Sequence, residues 1–236
     1  MQSKISIIIP VFNEIDLIGD VVRSVTDLKI NKEIIFVDDC SKDGTFEKLS
    51  ELKKKYKFEL VGHSQNRGKG AAIRTGLCWV TGLYSIIYDA DLEYAPEDIS
   101  FLFSEIEDIE NNWPEKKEIS VYGSRFLEKY NNRFTLHYIA NRFLTSLTNL
   151  CFNANLTDME TCLKLCPTDI LKSLNLESEK FEIEPELTIK LLKKGVVIIE
   201  RPIKYNRRGY NQGKKIKFKD GLLAVKTIIR ERFKAD

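Results

Sequence analysis

Short apolar runs alternate with stretches of helical period through the first ninety residues. Ile5 to Ile9 is an apolar run interrupted only by Ser6 and ending at Pro10, as expected of a strand buried on both faces. Ile18, Val21, Val22 and Val25 then recur at helical spacing, so about Ile15 to Leu28 reads as an amphipathic helix. The same alternation predicts strands at Glu33 to Val37, Phe58 to Val61 and Leu83 to Tyr88, with helices at Gly44 to Tyr56 and Gly68 to Trp79. Repeated strand and helix units predict an α/β chain with a mainly parallel sheet flanked by helices. Farther on, the pattern gives a helix after Pro96, a strand at Ile119 to Tyr122, a helix from Thr135 to Phe152, a strand at Val196 to Glu200 and a basic amphipathic helix at Leu222 to Phe233. No repeat or low-complexity linker divides the 236 residues. A single domain with halves at 1–93 and 94–236 is expected.

Polar residues follow each strand of the first half: Asn13, Asp38, Asp39, His63, Asp89 and Asp91. In open parallel sheets, ligands bind in the crevice beyond the carboxyl ends of the strands. Asp89-Ala90-Asp91 ends the fourth strand, where two carboxylates can meet a hard cation such as Mg²⁺ or Mn²⁺, with Glu93 as a third oxygen ligand. Such an ion bridges a diphosphate and neutralises charge on a departing phosphate. Asp38 and Asp39 end the second strand, and a nucleobase imino or amino group would relieve their mutual repulsion. Phe12, Asn13 and Glu14 offer a ring for stacking and groups for hydrogen bonds, while Asn13, Ser41 and Asp43 are each expected to cap a helix. Gln65 to Gly70 places two glycines and the cations Arg67 and Lys69 before a helix, a loop suited to phosphates or a ribose. No GxGxxG follows the first strand, which weighs against a dinucleotide-binding dehydrogenase.

Charge and cysteine usage narrow the partners. Residues 191–236 carry a net +10 against −8 for the first 190, so the C-terminal segment should attract phosphates or anionic headgroups. It lacks an aromatic nucleic-acid-reading motif, and nucleic acid is not expected as a partner. The cysteines are odd in number and without paired metal-ligand spacing, so they are expected to be free thiols. The absence of a long apolar run or signal-like start places the chain, as an expectation, in the cytoplasm, and the basic amphipathic stretch Leu222 to Phe233 would let it lie peripherally on the cytoplasmic face of a membrane.

Ile9-Pro10-Val11-Phe12-Asn13-Glu14, Val37-Asp38-Asp39-Cys40-Ser41-Lys42-Asp43-Gly44-Thr45, Asn66-Arg67-Gly68-Lys69-Gly70 and Asp89-Ala90-Asp91-Leu92-Glu93 occur in that order. Together they closely resemble glycosyltransferase family 2. Tyr122 to Phe126, Thr157 to Cys162 and Arg208 to Lys214 resemble its dolichol-phosphate mannose synthase-like branch. The resemblance implies a GT-A fold, with a Rossmann-like sheet, and inverting transfer from a nucleotide-diphosphate sugar, GDP-mannose or a UDP-hexose, with Mg²⁺ or Mn²⁺. Under it Pro10, Phe12, Asn13, Glu14, Val37, Asp38, Asp39 and Lys69 would surround the donor. Asp89, Ala90 and Asp91 would hold metal and diphosphate, and Arg125, Arg208 and Lys214 would contact phosphates. Phe12 stands where relatives often have Tyr, and Cys40 where they often have Gly.

The resemblance makes a polyprenyl or dolichyl phosphate the expected acceptor. Already ionised, it needs no base, and Arg125, Lys164 and the basic segment would orient it. A glycan hydroxyl would need one, for which Asp158 and Glu160 are candidates, Asp158 having an ion pair as its alternative role. A catalytically inactive nucleotide-sugar-binding subunit is the remaining alternative. The stripe Leu136, Ile139, Phe143, Leu147 and Leu150 is expected in the core, whereas Leu222 to Phe233 is expected at a membrane surface. His63 and His137 are expected to be structural.

Overall fold

The computed structural model describes residues 4–112, 118–127, 136–206 and 218–234. Four strands, β1 (Ile5–Val11), β2 (Lys32–Asp38), β3 (Glu59–Gly62) and β4 (Tyr84–Ile87), alternate with helices α1 (Ile18–Asp27), α2 (Thr45–Leu52) and α3 (Lys69–Leu77). Then come α4 (Glu97–Asn112), β5 (Ile119–Ser124), α5 (Leu136–Phe152), β6 (Lys164–Pro167), α6 (Thr168–Ser173), α7 (Ile183–Lys193), β7 (Val197–Pro202) and α8 (Phe218–Phe233). All seven strands join one sheet in the order β3-β2-β1-β4-β6-β5-β7, antiparallel only where β6 meets β4 and β5.

Side-chain alternation along β1 builds the layers. Ile5, Ile7, Ile9 and Val11 face α1 and α4, meeting Val21, Val25, Leu102 and Phe103, while Ile8 faces the other way towards Ala72, Ile73 and Leu187. With both faces covered, β1 is apolar at almost every position. Helix α3 lies close because it carries small residues there: a Cβ on Gly76 would stand 2.5 Å from Ile8 Cγ2.

Sequence periodicity missed β6, α6 and α7. β6 is four residues long and begins with a buried lysine, and α7 buries Glu184 and Glu186 along with Ile183, Leu187 and Leu191. A helix buried all round loses the one-sided stripe that marks a surface helix. The α5 stripe also runs against expectation. Leu144, Thr145 and Thr148 turn inward, Leu147 is partly buried, and Ile139, Phe143 and Leu150 are exposed. All five cysteines are free, and no described helix is long and apolar enough to cross a membrane.

Candidate functional site

The parallel strands end in register, Val11 opposite Asp38 and Asp38 opposite Gly62, so their exits share one edge of the sheet. Asn13, Cys40 and Leu92 follow β1, β2 and β4 with φ of 51°, 63° and 56°. Left-handed backbone on non-glycine residues is uncommon and gathers at functional sites, so three such exits on one edge mark it. The φ of Cys40 is one that glycine would adopt without strain.

Asn13 does not cap α1, which starts five residues later. Its N–H donates to Ser41 Oγ (2.8 Å) and its Oδ1 accepts from the Lys42 N–H (2.8 Å), stitching the first exit to the second. Ser41 is therefore also no helix cap. Asp43 is not the cap either: the N-cap of α2 is Gly44, without a side-chain cap, and Asp43, one residue earlier, accepts from Thr45 N (3.1 Å) while its other oxygen accepts from Ile15 N. Glu14 N donates to Thr45 Oγ1 (3.0 Å). These bonds hold Pro10, Phe12, Asn13 and Glu14 along one rim with Val37 at the end of β2.

Asp38 and Asp39 are buried, not solvated. Asp39 accepts from His63 Nδ1 (2.7 Å), Arg67 N (2.8 Å) and Gly68 N (2.6 Å), and His63 Nε2 meets Thr75 Oγ1 at 2.8 Å. His63 is thus structural, as expected, and Asp39 ties down the 66–68 loop. By lone-pair count Asp39 retains one acceptor position on Oδ2. Asp38 Oδ2 accepts from Ser41 N, while its Oδ1 is buried without a partner. An orphaned carboxylate oxygen is costly and fits a ligand donor such as a base N–H. The glycines of the loop let it pack closely on the 178–179 segment: a Cβ on Gly68 would come within 2.4 Å of Glu179 O, and one on Gly70 within 2.4 Å of Ser178 O.

At the β4 exit, Lys69 Nζ sits 2.7 Å from Asp89 Oδ1 and 2.9 Å from Glu184 Oε1, and Glu184 Oε2 lies 2.5 Å from Lys164 Nζ. Burial would lower the Lys69 ammonium, but Asp89 and Glu184 hold it well above its ordinary value. Lys164 is fully buried in this chain of charges and cannot orient an outside anion, contrary to the expectation from sequence. Asp91 Oδ1 accepts from Glu93 N (3.0 Å), and the Tyr205 hydroxyl donates to Glu93 Oε2. The expected set Asp89, Asp91 and Glu93 is therefore not preassembled. Among the described residues no three carboxylate, histidine or cysteine groups converge on a metal position. Asp89 and Asp91 still fit a divalent ion, because Mg²⁺ is commonly held by one or two carboxylates while substrate phosphates complete the shell.

Across the site Arg125 and Asp158 form a buried bidentate pair, Nε to Oδ2 and Nη2 to Oδ1 both at 2.7 Å. Burial would lower the guanidinium, yet Asp158 holds it well above its usual value. Asp158 is fully buried, so the ion-pair alternative holds and it is not placed to act as a base. Glu200 supports the pair from β7, accepting from Thr157 N (2.6 Å) and Asp158 N (2.8 Å). Glu160 remains the base candidate. Burial pushes its carboxyl up to about 7, against the pull of Lys164, and its Oε1 has no hydrogen-bond partner. Arg208 and Lys214 lie outside the described residues. Sequence reasoning missed Glu184, Glu200 and Tyr205; Glu184 carried only the weak signal of an acid opening an apolar helical period.

The chain matches the family model for glycosyl transferase family 2 over residues 6–174. It is 31% identical over 220 residues to a UDP-N-acetylglucosamine–dolichyl-phosphate N-acetylglucosaminyltransferase of Methanococcus voltae, covering 85% of this chain and 84% of that one. A dolichol-phosphate mannosyltransferase of Pyrococcus furiosus is 33% identical over 127 residues, 53% of this chain and 34% of the longer relative. In fold, the chain superposes with a TM-score of 0.70 at 16% identity on a Mycobacterium tuberculosis glucosyl-3-phosphoglycerate synthase in complex with Mn²⁺, UDP and glucosyl-3-phosphoglycerate, over 99% of this chain and 81% of that one. That likeness establishes the GT-A architecture.

Proposed function

Because the chain belongs to glycosyltransferase family 2, in the branch that includes dolichyl-phosphate glycosyltransferases, we propose that it transfers a hexose, with inversion, from a nucleotide-diphosphate sugar to a polyprenyl phosphate. The observation that carries this reading is the exit of β4, where Asp89 meets the Lys69 ammonium and Asp91 follows two residues on. Carboxylates and a cation together suit a metal-bridged diphosphate better than either alone.

In this reading the base lies over the ends of β1 and β2, between Phe12 and the acceptor oxygens of Asp38 and Asp39. Asp89 and Asp91 would hold a divalent ion, which would supply positive charge to the departing nucleoside diphosphate. Lys69 holds Asp89 in place. Glu93, held by Tyr205, orients the turn instead of binding the ion. The acceptor phosphate attacks as an anion, so no side chain must take a proton. Arg125, fixed by Asp158, supplies positive potential on the acceptor side, with Arg208 and Lys214 as further phosphate contacts.

A hydroxyl acceptor is the second reading, and Glu160 favours it, since a carboxyl poised near neutral pH is what a general base requires. A thermal-shift screen of GDP- and UDP-sugars with Mn²⁺ or Mg²⁺ is the first test. One donor should raise the melting temperature of the wild type but not of Asp91→Ala, and that donor should label a polyprenyl phosphate. No shift with any donor would sink the donor site and favour an inactive subunit; turnover only with a glycan would establish the second reading.

A further inference from the structure

The segment between α5 and β6 spans the site from one side to the other. Asp158 is locked to Arg125 on the acceptor side by two bonds of 2.7 Å. Cys162, four residues on, reaches the diphosphate side, where the Asp89 backbone donates to its sulfur and Asp89, Lys69 and Glu184 act on it. Glu160 stands midway in this segment, and the charges acting on it come from both ends: Lys164 and Glu184, whose chain of ion pairs runs through Lys69 to Asp89, and Arg125 with Asp158. In the proposed transfer the diphosphate leaves at Asp89 and the acceptor phosphate arrives at Arg125. Inversion puts the reacting carbon in line between the entering and leaving oxygens, so the hexose lies between the two ends and Glu160 flanks it.

Glu160 has a group free to meet that hexose. The residue is partly exposed, yet its Oε1 is buried without a hydrogen-bond partner, and Oγ1 of the adjoining Thr161, which is fully buried, also has none. Burying polar atoms unpaired is costly, so two in consecutive residues call for a ligand that supplies their partners. For Glu160 a phosphate is not that ligand. Like charges repel, and the cations at each end are already engaged, Arg125 by Asp158 and Lys164 by Glu184. A hydroxyl is neutral and both donates and accepts, which suits the carboxyl whether it is ionised or protonated.

We propose that Glu160 reads the donor sugar, hydrogen-bonding one ring hydroxyl of the hexose through Oε1, and that it does not serve as a base. This role rests on the proposed transfer for the presence of a nucleotide-sugar and deepens it, because it names the residue that tells the sugar nucleotide from the bare nucleoside diphosphate. The two roles open to a carboxyl here make different demands on the side chain. A base must ionise and take the acceptor's proton. A sugar-reading group needs only an accepting oxygen, which glutamine keeps and leucine lacks.

Calorimetry of the full chain with Mn²⁺ tests it, using UDP, GDP and their hexose conjugates with wild type, Glu160→Gln and Glu160→Leu. For the nucleotide that binds, Glu160→Leu should weaken the nucleotide-sugar by about tenfold or more and leave the bare diphosphate within about twofold. Glu160→Gln should weaken neither by more than about threefold. Among donors lacking one ring hydroxyl, the one deprived of this contact should bind wild type about tenfold more weakly and lose nothing further in Glu160→Leu. Glu160→Met, unbranched and also without an accepting oxygen, repeats the measurement if the leucine variant does not fold. Equal loss for sugar nucleotide and bare diphosphate, or no loss for either, overturns the role of Glu160 and leaves the transfer standing. So does a Glu160→Gln variant that binds donor normally but turns over about 10²-fold or more slowly, which would make Glu160 a base. Wild type that binds none of the four ligands removes the donor site itself, and this role with it.

Discussion

Glu160→Gln is the sharpest perturbation of the acceptor side. The charged groups acting on Glu160 are Lys164 and Arg125 against Glu184 and Asp158, so its surroundings are already neutral without it. An additional carboxylate there has no counter-ion of its own, and burial raises its carboxyl from 4.5 to about 7. Such a shift corresponds to roughly 3 kcal/mol at 1.36 kcal/mol per unit, reduced to about 1–3 kcal/mol by the partial exposure of the side chain. The native state holds this proton more tightly than the unfolded chain, so stability falls as pH rises from about 4.5 through about 7 and levels off above. Glutamine cannot ionise. Urea unfolding of both proteins should therefore show the wild type losing about 1–3 kcal/mol relative to Glu160→Gln between acidic and mildly alkaline buffer. Stability curves that stay parallel across that window would refute the burial argument. Activity addresses the chemistry separately. With a phosphate acceptor, the glutamine variant should keep kcat within about threefold, whereas loss of a general base removes about 10²- to 10⁴-fold. A loss of that size in a folded variant would refute the phosphate acceptor and make Glu160 the base for a hydroxyl.

Glu33 gives the opposite sign of pH dependence: burial opposes its ionisation, but bonds from Lys4, Ser6 and Thr81 hold it down at about 2. Glu33→Gln should lose about 1–2 kcal/mol at neutral pH after allowance for solvent screening, and the difference from wild type should vanish as pH falls from about 4.5 to about 2, followed by urea titration. Gly70→Ala places a methyl 2.4 Å from Ser178 O and should destabilise by about 1–3 kcal/mol in the same assay; an unchanged midpoint would show that the 178–179 segment yields freely. Lys69→Met removes the cation from Asp89 and Glu184. It should lower the melting temperature yet tighten calorimetrically measured Mn²⁺ binding without nucleotide, because Asp89 is then uncompensated; weaker metal binding would mean that Asp89 is not a ligand.

The order of elements in the first half was written in the chain, because strands covered on both faces are continuous apolar runs and their helices carry one-sided stripes. The positions of the polar residues also followed from sequence, since parallel strands deliver their next residues to one edge. Alternation could not assign the roles of Asp38 and Asp39. They are adjacent in sequence, but one is tied to His63, Arg67 and Gly68 with a single acceptor position left, while the other keeps a buried oxygen unpaired. Nor could local pattern reveal that Arg125 would meet Asp158, 33 residues on, or that Lys69 would meet Glu184 across 115 residues. Those ion pairs convert an expected base and an expected phosphate ligand into a fixed unit. The α5 stripe makes the same point from the apolar side: helical period shows that a face exists, but only the packed neighbours decide whether that face is core or surface. Local pattern reports what a segment needs buried or hydrogen-bonded, whereas the partner that satisfies it is set by long-range contacts brought together when the sheet closes.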